Sequence, residues 1–210
     1  MSLGSNCEIT GNIRSYFKIE EAYPFDWWMT PYHALLKILD NNFDGLFEEQ
    51  NIIVPHDKLS IIDKKYNILY HHDFERDKEG LIVTDNLELQ LLHLKEKYHY
   101  LQQRFITKLS GKKILFIRNR CGNDPNYLQG DFGHLEAKHC KKICDLIINL
   151  LPNTSFDLLI TNLPNFEGFQ YKNSWVFSDS IIDYQDSHDY MVSPKGWGEL
   201  FKRNEIELLK

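Results

Sequence analysis

Lys113-Ile114-Leu115-Phe116-Ile117, continuing into Arg118-Asn119-Arg120-Cys121-Gly122, is the stretch on which the fold class turns. The apolar run is short, rich in β-branched and aromatic residues, and reads as a strand buried on both faces. The polar residues behind it read as the loop at its C-terminal end. Downstream, a helix is predicted over residues 133–151, stopped by Pro152, then an apolar strand over 156–161. Another strand follows at 175–177, extending toward Ile181-Ile182, and a closing helix starts near Trp197. Strands alternating with helices predict an α/β domain: a mostly parallel sheet flanked by helices. Ligands of such sheets bind at the C-terminal ends of the strands.

Upstream of that stretch the pattern is more mixed. A long amphipathic helix spans residues 87–109 and is ended by Ser110-Gly111. Two β-rich runs, 59–62 and 66–70, flank Asp63-Lys64-Lys65 and predict a β-hairpin insertion. Thr30-Pro31 reads as a helix start, with Thr30 as N-cap. Residues 162–173, rich in Asn, Pro and Gly, read as the most flexible loop. No linker or repeat divides the chain, so residues 1–210 are expected to form a single domain.

The opening Ser2-Leu3-Gly4-Ser5-Asn6-Cys7 reads as a short strand, a tight turn and the start of a helix reaching about Phe17. A cysteine there meets free N–H groups and the positive end of the helix dipole. Both favour thiolate, the reactive form of cysteine, and the same N–H groups near residues 6–8 could hold an oxyanion. Cys7 is therefore the candidate nucleophile, with Ser5 as a weaker competitor.

A base must reach that sulfur and be oriented by a third group. His71 and His72 are adjacent on a predicted strand and face opposite sides, so only one can enter a site. His188, among Asp183, Asp186 and Asp189, is an alternative base. Asp26 lies in an aromatic stretch where a buried carboxylate needs a partner. Asp73 follows His72 directly and is turned away from it by strand alternation. Either is a candidate orienting acid. Asn6, Arg14, Trp27, Arg118 and Asn119 are candidate substrate-binding residues. Arg14 lies two helical turns beyond Cys7, and Arg118 and Asn119 follow the buried strand.

Composition narrows the function classes. With 24 Lys and Arg against 30 Asp and Glu, the formal net charge is −6. That balance argues against general nucleic-acid binding, which needs a basic surface. No signal peptide opens the chain and no apolar run reaches membrane-spanning length, so neither membrane nor secretion is expected, and the cytoplasm is the default compartment. Four cysteines are too few for a disulfide scaffold. Cys140 and Cys144 read as small helix residues, and Cys121 as a loop residue. Asp124, Asp131, His134 and His139 lack a recognised ligand spacing, so no metal is expected. Oligomeric state has no sequence signal.

Three motifs in order, Ser2-Leu3-Gly4-Ser5-Asn6-Cys7, Pro24-Phe25-Asp26-Trp27 and His72-Asp73-Phe74, resemble those of a bacterial family of unknown function grouped with papain-like cysteine peptidases. The resemblance implies a Cys-His enzyme, with Cys7 matching the nucleophile and His72 the base. It also implies, as the alternative fold, a papain-like α+β arrangement. More distantly, Asn6-Cys7 resembles the opening turn of capsular polysaccharide acetyltransferases, which use coenzyme A. The function expected is cysteine hydrolysis of a small-molecule, peptide or glycan substrate without a cofactor. Coenzyme A-dependent acyl transfer and a non-catalytic glycan or nucleotide-sugar binding module are the alternatives.

Overall fold

The computed structural model describes residues 1–119, 135–163, 165–182 and 193–208. Their architecture is mixed α/β, with five α-helices and two sheets. Helix α1 spans Glu8–Phe17, α2 Tyr32–Asp40, α3 Leu87–Leu109, α4 Ala137–Leu150 and α5 Pro194–Arg203.

The first sheet is antiparallel throughout, in the order β1-β4-β3-β2. Its strands are β1 (Trp28–Met29), β2 (Ile52–Ile53), β3 (Ile61–Asp63) and β4 (Ile68–Tyr70). The predicted hairpin is β3 and β4. Its turn is built by Asp63, whose side chain accepts from the N–H groups of Lys65 and Tyr66 at 2.9 and 3.2 Å. The second sheet has the order β5-β6-β8-β7, formed by β5 (Lys113–Asn119), β6 (Ser155–Thr161), β7 (Phe169–Tyr171) and β8 (Ser174–Asp179). Here β5, β6 and β8 are parallel and β7 is antiparallel to β8. Parallel pairing is thus confined to this sheet, and the mostly parallel expectation is corrected to a mixed arrangement. The first half of the chain departs because its strands are only two or three residues long and no helix lies between β3 and β4, whose short connection permits only antiparallel pairing.

The start of the chain joins the parallel core. Leu3 N–H donates to Ile117 O at 2.9 Å, and Ile117 N–H donates to Met1 O at 2.8 Å. Along the sheet, side chains alternate between two cores, as strand geometry requires. Phe116, Leu158 and Ile160 face the larger core with Cys140, Ile143 and Ile147 of α4 and Phe105 of α3. Ile117 and Leu159 face a smaller core with Ile9 of α1 and Trp197, Leu200 and Phe201 of α5. Helices therefore cover both faces, as expected.

Three local expectations are corrected. Thr30 does not cap α2: the N-cap position is Pro31, and Thr30 N–H instead donates to Ser5 O at 2.7 Å. The loop predicted over residues 162–173 contains β7. Arg118 and Asn119 end β5 rather than opening a loop, and both are buried; Arg120, Cys121 and Gly122 lie outside the described residues. Among the described residues, no helix is long and apolar enough to cross a membrane.

Candidate functional site

Cys7 occupies the N-cap position of α1 as a half-buried free thiol. The turn before it is shaped by Gly4, whose φ of +78° suits a residue without a side chain. A Cβ there would stand 3.0 Å from Arg118 Nη1 and 3.3 Å from Thr30 Cβ. Arg118 fills the space instead. It is 1% exposed, and its guanidinium donates to Leu3 O at 2.8 Å and also to Thr30 O. Arg118 thus staples the turn to the chain entering α2, a different task from the substrate binding expected of it. Asn6 Oδ1 accepts from Glu8 N–H at 3.2 Å, so its side chain supplies a cap to α1.

Behind the turn lies a buried polar network. Glu8, in the first turn of α1, is 1% exposed. Its carboxylate accepts from Asn119 Nδ2 at 2.7 Å and from Trp197 Nε1 at 2.8 Å. Asn119 in turn accepts from the Thr161 hydroxyl, and its backbone carbonyl accepts from the Ser5 hydroxyl at 3.0 Å. Ser5 is fully buried and committed to this bond. Asn119, expected as a substrate-binding loop residue, is instead a fully buried strand residue facing Glu8. Glu8, Thr161 and Trp197 were not anticipated. The available signal was weak: an acidic residue directly after a candidate nucleophile reads as an ordinary dipole-favoured surface residue.

Arg14, Asp26, Trp27 and His72 form a second cluster, farther along α1. Asp26 is buried and accepts from the Thr10 hydroxyl and from Tyr23 N–H, each at 2.9 Å, with Arg14 Nη2 at 3.5 Å. Burial pushes its carboxyl up, opposed by the Tyr23 and Thr10 hydrogen bonds and the Arg14 charge. The Arg14 guanidinium lies 5.1 Å from the centre of the Trp27 ring. Trp27 meets the His72 imidazole edge-on at 5.6 Å. Burial pushes the His72 imidazole down, with Asp73 acting upward and Arg76 downward, so the neutral, proton-accepting form is favoured. His71 does not face the opposite side as expected: β4 ends at Tyr70, and the His71 ring meets that of His72 edge-on at 4.7 Å, with its Nδ1 3.0 Å from the Ser60 hydroxyl.

Asp73 has a structural environment. Its Oδ1 accepts from Lys97 Nζ and Tyr98 OH at 2.8 Å each, and its Oδ2 from Trp28 Nε1 at 3.2 Å. Its side chain is 1% exposed. Strand β4 ends at Tyr70, so the alternation expected through His72 and Asp73 does not apply; these three donors hold the carboxylate instead.

The supports of Cys7 and His72 attach to opposite ends of β1. Trp28 lies opposite Tyr70, which sets His72 beyond the Trp27 end. The Cys7 turn is tied to Thr30 at the other end. Contacts link Arg14 to Asp26 and Trp27, and Trp27 to His72, while Asn6, Arg118 and Asn119 brace the turn that carries Cys7.

A cleft of about 520 Å³ opens beside α1, walled by Thr10, Ile13, Arg14, Phe17, Tyr23 and Asp26 among others. Cys7 is not among its walls. Cys140 and Cys144 are buried, and burial pushes each thiol up to about 12, which leaves them inert. His139 Nδ1 accepts from Glu136 N–H at 3.0 Å in a capping box at the start of α4. No group of side chains suited to a metal ion occurs among the described residues. Cys121, Asp124, Asp131, His134, Asp183, Asp186, His188 and Asp189 lie outside the described residues.

No curated protein matches the chain. No solved structure matches it either. A family model matches residues 1–150, the span that contains the Cys7 turn, the Asp26 loop, His72 and the buried end of β5. The chain belongs to that family, described as putative papain-like cysteine peptidase (DUF1796).

Proposed function

We propose that this protein is a thiol-dependent hydrolase that cleaves an amide or ester bond through an acyl-enzyme on Cys7. The observation that carries the reading is a half-buried free cysteine at the N-cap of α1, in a chain whose family is described as a cysteine peptidase. The helix terminus favours the thiolate. In the reaction, His72 takes the thiol proton and the sulfur attacks the substrate carbonyl. The oxyanion is held by N–H groups at the start of α1, once Asn6 yields the Glu8 N–H it holds. The tetrahedral intermediate expels an amine or alcohol that takes the proton from His72. Water, deprotonated by His72, then hydrolyses the thioester and regenerates Cys7. No cofactor is needed for these steps. Arg14 and Trp27, beside His72, are the side chains proposed to meet the rest of the substrate.

Two histidines compete for the role of base. A neutral imidazole and the motif resemblance favour His72. His188 is favoured by its place in the chain, between β8 and α5, since α5 contributes Trp197 to the network behind Cys7.

The test is iodoacetamide titration across pH, with the modified cysteine mapped by mass spectrometry. The expected result is selective labelling of Cys7 with an apparent pKa well below the usual value of about 8.5. His72→Ala abolishes that selectivity, and His188→Ala does not. The reverse pattern moves the base to His188. Slow, unselective labelling of the wild type overturns the hydrolase and favours a non-catalytic binding module.

A further inference from the structure

We propose that Glu8 is a positioning residue for Cys7, acting through the bonds that Asn119 and Trp197 give its carboxylate. The inference deepens the thiol-hydrolase reading and rests on it. An acidic residue in a first helical turn interacts favourably with the dipole while remaining in water. Glu8 is instead 1% exposed. Removing a carboxylate from water costs several kcal/mol, and an apolar residue of similar size often serves stability as well or better. Stability alone therefore gives no reason for an acid here.

Its bonding supplies one. Glu8 follows Cys7 directly, and its two oxygens tie that point of the chain to the end of β5 through Asn119 and to α5 through Trp197. Asn119 grips the same turn from behind. Its N–H donates to Gly4 O at 3.4 Å, its carbonyl accepts from Ser5 Oγ at 3.0 Å, and its side-chain oxygen accepts from Thr161 at the end of β6. Asn12 Nδ2 also donates to the Glu8 carbonyl at 2.9 Å. The backbone on either side of Cys7 is thus fixed, so the sulfur is aimed by a rigid base. A nucleophile needs that precision, because a misplacement of about 1 Å can cost two orders of magnitude in rate.

A polarity swap tests this. In Glu8→Gln, an amide group faces one of the two donors and a bond is lost. In the double variant Glu8→Gln with Asn119→Asp, the new amide donates to the new carboxylate and still accepts from Trp197, while that carboxylate's second oxygen still accepts from Thr161. The readout is the rate constant for alkylation of the Cys7 thiolate, extracted from the full pH profile, alongside thermal unfolding. Glu8→Gln is expected to slow alkylation by about tenfold or more, and the double variant to recover to within about threefold of wild type. An unchanged rate in Glu8→Gln, or a folded double variant that stays slow, overturns the proposal. If Glu8→Gln fails to fold, Thr161→Val takes its place: it removes one donor from Asn119 and should slow alkylation measurably, and an unchanged rate overturns the proposal. Should wild-type Cys7 prove unreactive, the hydrolase reading falls by itself. The positioning role is then read from hydrogen exchange at residues 5–9, which Glu8→Gln should accelerate and the double variant restore. Equal exchange in all three proteins overturns it.

Discussion

The turn that carries Cys7 is anchored by chain far away in sequence: Arg118 and Asn119 from β5, Thr161 from β6 and Trp197 from α5. The bend that carries His72 is held by the β3–β4 pairing before it, by the Asp73 bonds to Trp28, Lys97 and Tyr98 after it, and by ring contacts with Trp27 and His71. The imidazole itself lies in an exposed residue. One region is braced by the parallel sheet and α5, the other by α3 and β1.

Four measurements would break or sharpen that contrast. The largest effect is expected from Gly4→Ala. The backbone there has φ +78° and the new Cβ would press on Arg118 and Thr30, so unfolding stability should fall by about 2–4 kcal/mol; a loss under about 1 kcal/mol would mean the turn yields easily. Asp73→Ala comes next. It strips a buried acceptor from Trp28, Lys97 and Tyr98 and should cost about 2 kcal/mol while leaving Cys7 alkylation unchanged. Loss of alkylation without loss of stability would make Asp73 the orienting acid after all. Thr10→Val removes one of the donors to Asp26 and should cost about 1 kcal/mol by chemical denaturation. No change would show that the Asp26 loop is held by Tyr23 and Arg14 alone.

The smallest effect concerns pH. Burial lowers the pKa of His33, His71 and His72. The unfolded chain therefore binds protons at these sites more readily than the folded one below the ordinary value of about 6.5. Their contribution to stability is present above that value and is lost as pH falls through it toward the folded values. The thermal midpoint should accordingly drop between pH 7 and pH 5, by less than the substitutions above shift it. Replacing all three by Gln should flatten that slope, and an unaltered slope would trace the effect to other groups.

Local pattern made much of this fold readable. Helix α3 begins and ends where Ser110-Gly111 and its apolar spacing place it, and β5 is a buried strand because its apolar run has no polar face. Two-residue strands such as β1 and β2 carry too little pattern to be seen. The surroundings of the candidate site were legible in part. The helix start at Cys7 and the burial of Asp26 were read from residue type and position, but the partners of their neighbours were not. The carboxylate of Glu8 meets side chains 111 and 189 residues away, and no short window contains such a pairing. Arg118 shows the same blindness in reverse. A charged residue after an apolar strand reads as solvated until its acceptors, Leu3 O and Thr30 O, come into view.

The pairing of Met1 and Leu3 with Ile117 has a bearing on biosynthesis. A ribosome releases the cysteine turn well before the chain that braces it: the partners of Glu8 lie 111 and 189 residues further along. During that interval the nascent thiol has no finished seat. The architecture thereby couples the finishing of that seat to the emergence of α5.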